Sequence, residues 1–257
     1  MANKLLGQHF LRCQWVANTL IETAELKKSD TVLEVGSGTG VLTRELSKKA
    51  GRVISVEKDK GLAAELRLNL AREKINNVEV VDGDILKLLT NNQLPAISGY
   101  KIVANIPYYL TSRLLRLLLE GASKPKIIVM TIQKEVAERM TAKPGQMNIL
   151  ATSVQVFAKP EIIKQVPRNC FSPQPKVDSA VISISLISDD FFTKNGLDKE
   201  FFFAIVRQGF SQKRKILANT LKKFRVKDLP FSLSRPQELS LENWVKVIRI
   251  VQEAEPL

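Results

Sequence analysis

Residues 31–40 read Thr31-Val32-Leu33-Glu34-Val35-Gly36-Ser37-Gly38-Thr39-Gly40. The first five are mostly apolar or β-branched and predict a buried strand, and the alternate glycines after them predict a tight turn. Residues 41–50 continue with helical character, so strand, glycine turn and helix follow one another directly. This order is typical of the opening unit of a parallel α/β sheet.

The same alternation runs through the first two thirds of the chain. It predicts further strands at 52–56, 78–81, 101–104 and 126–132, and helices at 60–73, 112–120 and 134–141. Two later stretches, 149–157 and 179–186, are predicted as strands with only a proline-rich connection between them, and would add antiparallel edge strands. Strands that alternate with helices predict a mostly parallel sheet covered on both faces.

The character of the chain changes after about residue 186. Helices are predicted at 201–210, 211–224 and 240–253, joined by short polar links. We therefore expect two domains, 1–187 with the sheet and 188–257 with helices alone.

Charge and composition narrow the classes of function. The 257 residues include 39 Lys and Arg against 26 Asp and Glu, and a net charge of +13 fits either a solvated basic surface or a polyanionic partner. Cys13 and Cys170 are too few for a zinc cluster and indicate a reducing compartment or simple packing, not a disulfide framework. His9, the single histidine, has no sequence neighbours typical of a triad or a metal site.

Targeting signals are not evident in the sequence. No apolar run approaches the roughly 20 residues that span a bilayer, and the amino terminus lacks the apolar segment of a signal peptide. We expect a soluble cytoplasmic protein without a membrane partner.

A polar motif, Asn105-Ile106-Pro107-Tyr108, follows the strand predicted at 101–104. Open α/β sheets bind ligands at the carboxyl ends of their strands, so the motif lies where a ligand is expected. Asn105 offers a side-chain oxygen, Ile106 before proline offers its carbonyl, and Tyr108 offers a flat ring. Two acceptors beside a ring suit an exocyclic amine on a flat heterocycle. A strand-terminating turn is the alternative interpretation.

The glycines of the first turn suit close approach of a ligand to the backbone. Gly36, Gly38 and Gly40 precede a helix amino terminus, which provides free N–H groups. Their G-x-G-x-G spacing differs from the dinucleotide fingerprint G-x-G-x-x-G, so the turn is a poor match to a nicotinamide site. A purely structural turn is the alternative.

Acids at the next two strand ends complete the pattern. Glu57 ends the second strand, where an acid can accept from both hydroxyls of a ribose. Asp84 follows the third strand and is placed to accept from an adenine amine, with Ile85 against the ring. Each acid alone also fits a solvated surface or an ordinary turn. Glycines, Glu57, Asp84 and the Asn105 motif, in this order, form a specific combination.

The combination resembles the S-adenosylmethionine-dependent methyltransferases that act on an exocyclic amine, and most closely the ribosomal RNA adenine N6-dimethyltransferases. The resemblance covers nearly the whole chain. The matching stretches are Gly7-Gln8-His9-Phe10-Leu11, Glu34 to Gly40, Glu57, Asp84, Asn105 to Tyr108, Gln133-Lys134-Glu135 with Ala137 and Arg139, and Phe171-Ser172-Pro173-Gln174-Pro175-Lys176-Val177-Asp178-Ser179-Ala180-Val181. It implies a Rossmann-like sheet, mostly parallel with antiparallel edge strands, and a small carboxy-terminal all-helical domain.

The resemblance also implies S-adenosyl-L-methionine as cofactor, no metal, and two groups of site residues. The cofactor-binding group is Gln8, His9, Phe10, Leu11, Glu34, Gly36, Gly38, Gly40, Glu57, Lys58, Asp84, Ile85 and Asn105. The catalytic group is Asn105, Ile106, Pro107, Tyr108 and Phe171, the last of which lies near the target base in the family.

Two sub-families compete within this resemblance. Residues 210–215 and 235–240 resemble the type that dimethylates two adjacent adenines in the 3′-terminal hairpin of small-subunit ribosomal RNA and takes part in subunit maturation. The alternative is the large-subunit type that gives macrolide resistance. One departure from the family is Met147-Asn148-Ile149, where a Tyr-Gly pair is common, and it puts a local contact in doubt.

The predicted RNA surface lies in the second domain. Residues 210–227 hold seven basic side chains and no acid, and as a helix they would bury Leu217, Leu221 and Phe224 on one face. The candidate RNA-binding residues are Lys213, Arg214, Lys215, Lys222 and Lys223. A merely soluble helix is the alternative. We expect 1–187 to be the catalytic domain, 188–257 the RNA-binding domain, and a monomer to act on ribosomal RNA within a small subunit or its precursor.

Two rival functions belong to other classes. A nicotinamide oxidoreductase is disfavoured by the glycine spacing and by the lack of a recognisable catalytic His or Tyr-Lys pair. A non-catalytic RNA-binding assembly factor is disfavoured by the intact segment from Asn105 to Tyr108.

Overall fold

The computed structural model describes residues 8–91, 93–94, 99–212, 214–226 and 228–254. Among the predicted positions, Gly7, Lys213 and Lys227 lie outside these ranges. The chain forms two compact units, one made of Met1–Ala137 with Ala158–Ile187 and the other of Glu138–Phe157 with Ser188–Leu257. Residues 138–157 thus join the second unit, while the roles proposed for 1–187 and 188–257 stay predictions.

The first unit is built on a seven-stranded sheet in the order β4-β3-β2-β5-β6-β9-β7. Its strands are β2 (Thr31–Val35), β3 (Arg52–Glu57), β4 (Val78–Asp82), β5 (Lys101–Asn105), β6 (Ile127–Gln133), β7 (Lys159–Val166) and β9 (Ser179–Ser185). The five strands from β4 to β6 are parallel, and β9 runs antiparallel to both β6 and β7. The predicted α/β class, mostly parallel with antiparallel strands at one edge, is confirmed.

Helices cover the parallel part of the sheet. They are α1 (Gln14–Thr23), α2 (Val41–Lys49), α3 (Lys60–Arg72), α4 (Ile85–Thr90) and α5 (Thr111–Glu120). One core cluster joins Val16, Ala17 and Leu20 of α1 to strand residues that include Val32 and Val103, all fully buried. Burying a Val or Leu side chain contributes about 1.5–3 kcal/mol, so the sheet and its helices form one unit.

The path of the chain creates a crevice at the carboxyl ends of β2 and β5. After β2 the chain builds β3 and β4 on one side, and it then crosses back to place β5 on the other side of β2. The connections therefore leave β2 and β5 in opposite directions, and a cleft opens between them. Ligands of open α/β sheets bind at such a switch point.

A two-stranded ribbon closes the first unit beside this crevice. Strand β1 (Phe10–Leu11) pairs antiparallel with β8 (Phe171–Ser172), and this pairing brings Cys13 beside Cys170. The two cysteines form a disulfide, with their Cα atoms 5.0 Å apart. The expectation of unpaired cysteines was wrong. The two cysteines are 157 residues apart in sequence, and only the pairing of β1 with β8 brings them together, so no local pattern could indicate the bond.

The second unit is helical. Helix α6 (Lys134–Met140) leads into it, and its helices are α7 (Ile149–Gln155), α8 (Asp190–Asn195), α9 (Lys199–Gly209), α10 (Leu217–Thr220) and α11 (Leu241–Ala254). Its interior contains edge-to-face aromatic pairs such as Phe192 with Phe202, whose ring centroids lie 5.4 Å apart. Trp244 of α11 is fully buried.

Two predicted elements differ from the structure. Residues 149–157 were predicted as a strand, yet they form α7, because the Asn148 side chain accepts from the Ala151 N–H at 3.1 Å and starts a helix. The edge strand is instead β7 (Lys159–Val166), within the predicted proline-rich connection. The helix predicted at 211–224 is also wrong: only Leu217–Thr220 is α-helical, and a single 3₁₀ turn follows at Lys222–Phe224.

Candidate active site

A pocket opens at the crevice between β2 and β5. It encloses about 810 Å³, its open mouth included. The predicted residues that line it are Gln8, His9, Phe10, Leu11, Gly36, Gly38, Glu57, Lys58, Asp84, Ile85, Asn105 and Pro107. Segments distant in sequence therefore meet at one site, as the strand-end argument predicts.

The glycine turn lines the pocket, with bare backbone at Gly36 and Gly38. Gly38 has a φ of +53°, and a Cβ there would lie 2.9 Å from Cδ1 of Phe10, closer than van der Waals contact allows. The N–H of Gly36 donates to the carbonyl of Val56. The buried hydroxyl of Ser37, which also lines the pocket, has no hydrogen-bond partner among the described residues. A buried polar atom without a partner is unusual and fits a ligand that supplies one.

Glu57 stands at the end of β3 with its carboxylate held by the backbone. Its Oε2 accepts from the Gly38 N–H and its Oε1 from the Asp59 N–H, both at 2.9 Å. Each carboxylate oxygen accepts more than one hydrogen bond, so both keep capacity for a pair of ligand hydroxyls. The backbone contacts fix the direction of the carboxylate before any ligand arrives.

Asp84 stands at the next strand end and begins α4. Its Oδ1 accepts from the Leu86 N–H at 3.0 Å, and Nζ of Lys58 lies 3.0 Å from its Oδ2. Burial acts to raise the pKa of Asp84, but the contacts from Lys58 and Leu86 outweigh it and lower that pKa below its usual value. Contact with Asp84 raises the pKa of Lys58. Asp84 is therefore an ionised acceptor at the wall of the pocket.

Glu34 and Gly40, two predicted cofactor residues, are not among the residues that line the pocket. Gly40 precedes α2 with a φ of +80°. Glu34 is fully buried in β2, where the hydroxyls of Thr43 and Ser55 both donate to its Oε2 at 2.7 Å. Burial raises the pKa of Glu34 to about 7, and the nearby Glu57 adds to the rise. Glu34 thus joins β2 to α2 and β3 inside the fold.

Asn105 links the pocket to the amino-terminal ribbon. Its Nδ2 donates to the carbonyl of His9 at 3.1 Å, and its Oδ1 accepts from the hydroxyl of Thr131. Nδ1 of His9 donates to the carbonyl of Pro173 at 2.6 Å. His9 is therefore held by its main chain and its ring, and the wall of the pocket is fastened to the motif that ends β5.

The other predicted catalytic residues surround the pocket without all lining it. Ile106 is buried, and the ring of Tyr108 stacks on His9 with centroids 5.6 Å apart. Burial raises the pKa of the Tyr108 phenol, whose Oη lies 2.6 Å from Oγ of Ser179. The structure does not bring the ring of Phe171 to the pocket, because that side chain is 3% exposed and packs in the core cluster. A contact between Phe171 and a base stays a prediction that requires the side chain to turn.

Some residues at the pocket were not predicted from the sequence. Tyr109 and Leu110 line it beside Pro107, as do Val35, Ser37, Thr39, Val41, Leu42, Val56 and Gly83. Most of them are next to a predicted residue in the sequence, and this was the only sign in the sequence that they would line the pocket. Tyr109 is 56% exposed, and an exposed aromatic ring beside a strand-end motif is itself a sign of a binding surface.

The residues of the pocket fit S-adenosyl-L-methionine. Its ribose has two hydroxyls for Glu57, its adenine has an amine for Asp84 and an apolar face for Ile85, and its charged end suits the acceptors and free N–H groups around the glycine turn. The unpartnered hydroxyl of Ser37 provides one further contact. The position of each group of the cofactor in the pocket stays a prediction.

The predicted RNA-binding residues lie in the second unit. Arg214, Lys215, Lys222 and Lys223 are all exposed, as is Arg225. None of these five cations forms an ion pair within the described part of the chain. Nζ of Lys223 lies 4.8 Å from the centroid of the Phe224 ring. Leu217 and Leu221 are buried as predicted, so the segment has an anchored side and a cationic side although it is not one helix.

The departure at Met147-Asn148-Ile149 falls within the second unit. The N–H groups of Gly145 and Met147 both donate to the carbonyl of Gln237, at 2.9 and 3.0 Å. Asn148 begins α7. The stretch is thus an ordered connection held by its backbone.

Comparison with known proteins places the sequence in a single family. The sequence model of the family described as "Ribosomal RNA adenine dimethylase" matches residues 1–252. A relative from Dehalococcoides mccartyi, named Ribosomal RNA small subunit methyltransferase A, is 40% identical over 96% of this chain and 87% of its own length. One of the same name from Clostridium botulinum is 39% identical over 87% of this chain and 81% of its own.

Solved structures agree with the sequence comparison. A dimethyladenosine transferase from Plasmodium falciparum superposes with a TM-score of 0.82 and 27% identity, covering 96% of this chain and 98% of that one. The 23S rRNA methyltransferase ErmE gives 0.75 with 27% identity, over 95% of this chain and 99% of its own. In the described residues, no helix combines the length and apolar character needed to cross a membrane.

Proposed function

The chain belongs to the ribosomal RNA adenine dimethylase family, and from this premise we propose that it dimethylates N6 of two adjacent adenines in the 3′-terminal hairpin of small-subunit ribosomal RNA. The observation that carries the proposal is the position of Asn105. Asn105 lines the pocket, and it is the last residue of β5, three positions before Tyr108. One residue thus borders both the methyl donor and the base.

The cofactor side of the site is held by acids and backbone. S-adenosyl-L-methionine supplies a methyl group on a positively charged sulfur, which is a strong electrophile without further activation. Glu57 accepts from the ribose hydroxyls, and Asp84 with Ile85 holds the adenine. Because Gly38 and Asp59 already fix the carboxylate of Glu57, little ordering is needed when the cofactor binds.

The base side of the site acts on a poor nucleophile. The lone pair of adenine N6 is delocalised into the ring, so the nitrogen must become pyramidal before it can attack. The side-chain oxygen of Asn105 and the carbonyl of Ile106 accept the two amine protons and favour this geometry. No strong general base is needed, because the amine becomes acidic once it carries the methyl group, and the proton passes to water.

Dimethylation follows from the same arrangement. A monomethylated amine keeps one N–H, so it retains one of the two acceptor contacts and gives up the other. The base reaches this position by leaving its stack and resting on Tyr108, a contact that contributes about 1–3 kcal/mol.

The basic segment of the second unit supplies affinity for RNA. Arg214, Lys215, Lys222 and Lys223 are exposed cations without ion pairs among the described residues, so they are available to phosphates. Phosphate contacts position a protein without reading sequence. We propose that the shape of an assembled small subunit or its precursor selects the site, and that a monomer acts on it in the cytoplasm.

The small-subunit substrate is favoured over the large-subunit one by the relatives. The curated relatives named above carry the small-subunit name at about 40% identity, against 27% for ErmE. The dimethyladenosine transferase from Plasmodium falciparum also superposes more closely than ErmE, with TM-scores of 0.82 and 0.75, which supports dimethylation of adenine by this chain.

Methyl transfer to isolated ribosomal subunits tests the proposal. The protein is incubated with S-adenosyl-L-methionine labelled in its methyl group and with small or large subunits from cells that lack the modification. We expect label only in the small subunit, at two adjacent adenines near the 3′ end of its RNA, each as N6,N6-dimethyladenine on mass analysis. Label in the large subunit would instead assign the alternative sub-family.

An Asn105→Ala variant serves as the control for the site. We expect no detectable transfer, while S-adenosylhomocysteine binding measured by calorimetry weakens only through the lost contact with His9, by about tenfold at most. Undiminished transfer by this variant would refute the role given to Asn105.

A further inference from the structure

The acceptor role of Asn105 depends on the direction in which its amide is turned. An asparagine presents an oxygen on one edge and an NH₂ group on the other, and rotation about its last bond exchanges them. Only the oxygen can accept from an adenine amine, since the NH₂ group would meet it as a second donor. The protein must therefore hold the amide in one orientation.

Two contacts fix this orientation. The hydroxyl of Thr131 donates to Oδ1 of Asn105, while Nδ2 donates to the carbonyl of His9 at 3.1 Å. The His9 carbonyl can only accept, so a turned amide would place two oxygens against each other. Thr131 is fully buried, and water does not compete for its single proton.

Sheet register brings Thr131 to this place. Asn105 and Thr131 are direct partners on the neighbouring parallel strands β5 and β6. A carbonyl oxygen has two lone pairs, so Oδ1 can take the proton of Thr131 and still accept one N–H of the base. The threonine thus sets the direction of the oxygen without using up its capacity.

A second buried hydroxyl holds the aromatic ring. Oη of Tyr108 lies 2.6 Å from Oγ of Ser179, which opens β9 and is fully buried. The same ring stacks on His9 at an interplanar angle of 29°. The phenol is therefore fixed at its tip by Ser179 and along its face by His9, which defines the plane offered to a base.

We infer that Thr131 and Ser179 are positioning residues for adenine methylation, an inference that rests on the proposed function. Thr131 keeps the Asn105 oxygen turned to the amine and so acts on the methyl-transfer step. Ser179 keeps the Tyr108 ring in place and so acts on binding of the extruded base. The two hydroxyls come from adjacent strands of the sheet and have separable effects.

Substitutions at Thr131 test the first effect. Thr131→Val keeps the shape of the side chain and removes the hydroxyl, whereas Thr131→Ser keeps the hydroxyl. With unmethylated small subunits and saturating cofactor, we expect Thr131→Val to lower kcat about 10- to 100-fold. KM for the subunit and the Kd for S-adenosylhomocysteine should change less than about threefold. Thr131→Ser should recover most of kcat, which a merely structural role would not require.

Substitutions at Ser179 test the second effect. The probe is a small subunit reassembled with RNA that carries 2-aminopurine at the target adenine. This base lacks the 6-amino group and therefore reports stacking without the Asn105 contact. We expect Ser179→Ala to reduce the fluorescence change on binding at least twofold and Thr131→Val to leave it unchanged. Tyr108→Phe removes the other end of the same hydrogen bond and should match Ser179→Ala, with the double variant no worse than either.

The outcomes separate failure of the inference from failure of the proposed function. If the wild-type protein methylates no adenine, the proposed function fails and the inference fails with it. If it does methylate, wild-type kcat in Thr131→Val, or equal loss in Thr131→Ser, overturns the role of Thr131 alone. An unchanged probe signal in both Ser179→Ala and Tyr108→Phe overturns the role of Ser179. Circular dichroism and S-adenosylhomocysteine binding verify that each variant is folded, and Thr131→Ala replaces Thr131→Val if valine prevents folding.

Discussion

Glu34 is a buried acid in β2, two residues before the first glycine of the turn. Two hydroxyls donate to its Oε2, from Thr43 and Ser55, and its Oε1 has no partner among the described residues. Burial raises the pKa of its carboxyl from 4.5 to about 7. The folded protein therefore favours the neutral acid, and ionisation of Glu34 opposes folding.

The pH dependence of stability follows from this shift. The pKa of Glu34 is higher in the folded protein than in the unfolded chain. The stability that the buried neutral acid contributes is therefore fully present below about pH 4.5 and is lost as pH rises through about 7. A shift of this size corresponds to about 3 kcal/mol, as an upper estimate. We expect Glu34→Gln, which cannot ionise, to gain stability over the wild type at pH 8 and little at pH 5, in urea unfolding at both values.

A matched control uses a carboxylate at the surface. Glu79 is exposed and pairs with Arg52, so Glu79→Gln should leave the slope of stability against pH as in the wild type. Parallel slopes in Glu34→Gln and the wild type would contradict the assignment to Glu34.

At the scale of elements, strand ends were predictable where residue type and position agree. Gly36, Glu57, Asp84 and Asn105 each follow or end a parallel strand, and parallel strands end at one edge of a sheet, so their meeting in one pocket followed from the pattern. Thr131 and Ser179 could not be assigned roles in this way. Their contacts depend on the pairing register of β5, β6 and β9, which no local pattern encodes.

Short apolar stretches were the least predictable elements. Residues 149–157 are apolar and rich in branched side chains, which fits a strand or a buried helix equally. The Asn148 cap, which accepts from the N–H of Ala151, was the local signal for a helix. Periodicity predicts the basic segment as one helix; of its predicted buried face, Leu217 and Leu221 are buried and Phe224 is only partly so.

The basic segment leads to a prediction about salt dependence. We expect Lys215→Gln with Lys222→Gln to weaken RNA binding and to reduce the slope of log K against log salt by about 1.5, since each phosphate contact contributes about 0.7–0.9. Titration of a labelled RNA hairpin at several salt concentrations measures this slope.

Lysines elsewhere provide the matched control. Lys28 precedes β2 and Lys49 ends α2, and both are exposed. They lie near the amino ends of the strands, whereas the pocket lies at the carboxyl ends. Lys28→Gln with Lys49→Gln makes the same charge change. If both double variants reduce the slope of log K against log salt by the same amount, the effect comes from net charge and not from a binding surface.

At the scale of the whole molecule, the chain passes between its two units more than once. It leaves the first unit after Ala137, returns at Ala158 and leaves again after Ile187. The excursion supplies part of the second unit: the N–H of Ser188 donates to the carbonyl of Phe157, and the ring of Phe157 lies 5.2 Å from that of Phe192. Residues 138–157 are thus structural members of the helical unit.

This path predicts how fragments behave. We expect residues 188–257 alone to lack a cooperative thermal transition by circular dichroism, because Phe157 and α7 are missing from their core. Joining 138–157 directly to 188–257 should restore the transition, since Phe157 and Ser188 are hydrogen-bonded neighbours. A cooperative transition in the shorter fragment would show that the excursion is dispensable.

The disulfide between Cys13 and Cys170 has a topological consequence. It closes a covalent ring over a sequence separation of 157 residues, and this ring includes the strands β2 to β7 and the whole excursion from 138 to 157. A protease that nicks the backbone once inside the ring opens it without detaching any piece, even in a denaturant, until a thiol reductant cuts the sulfur link. A nick after Cys170 falls on an open tail, and there the same denaturant alone separates the fragments.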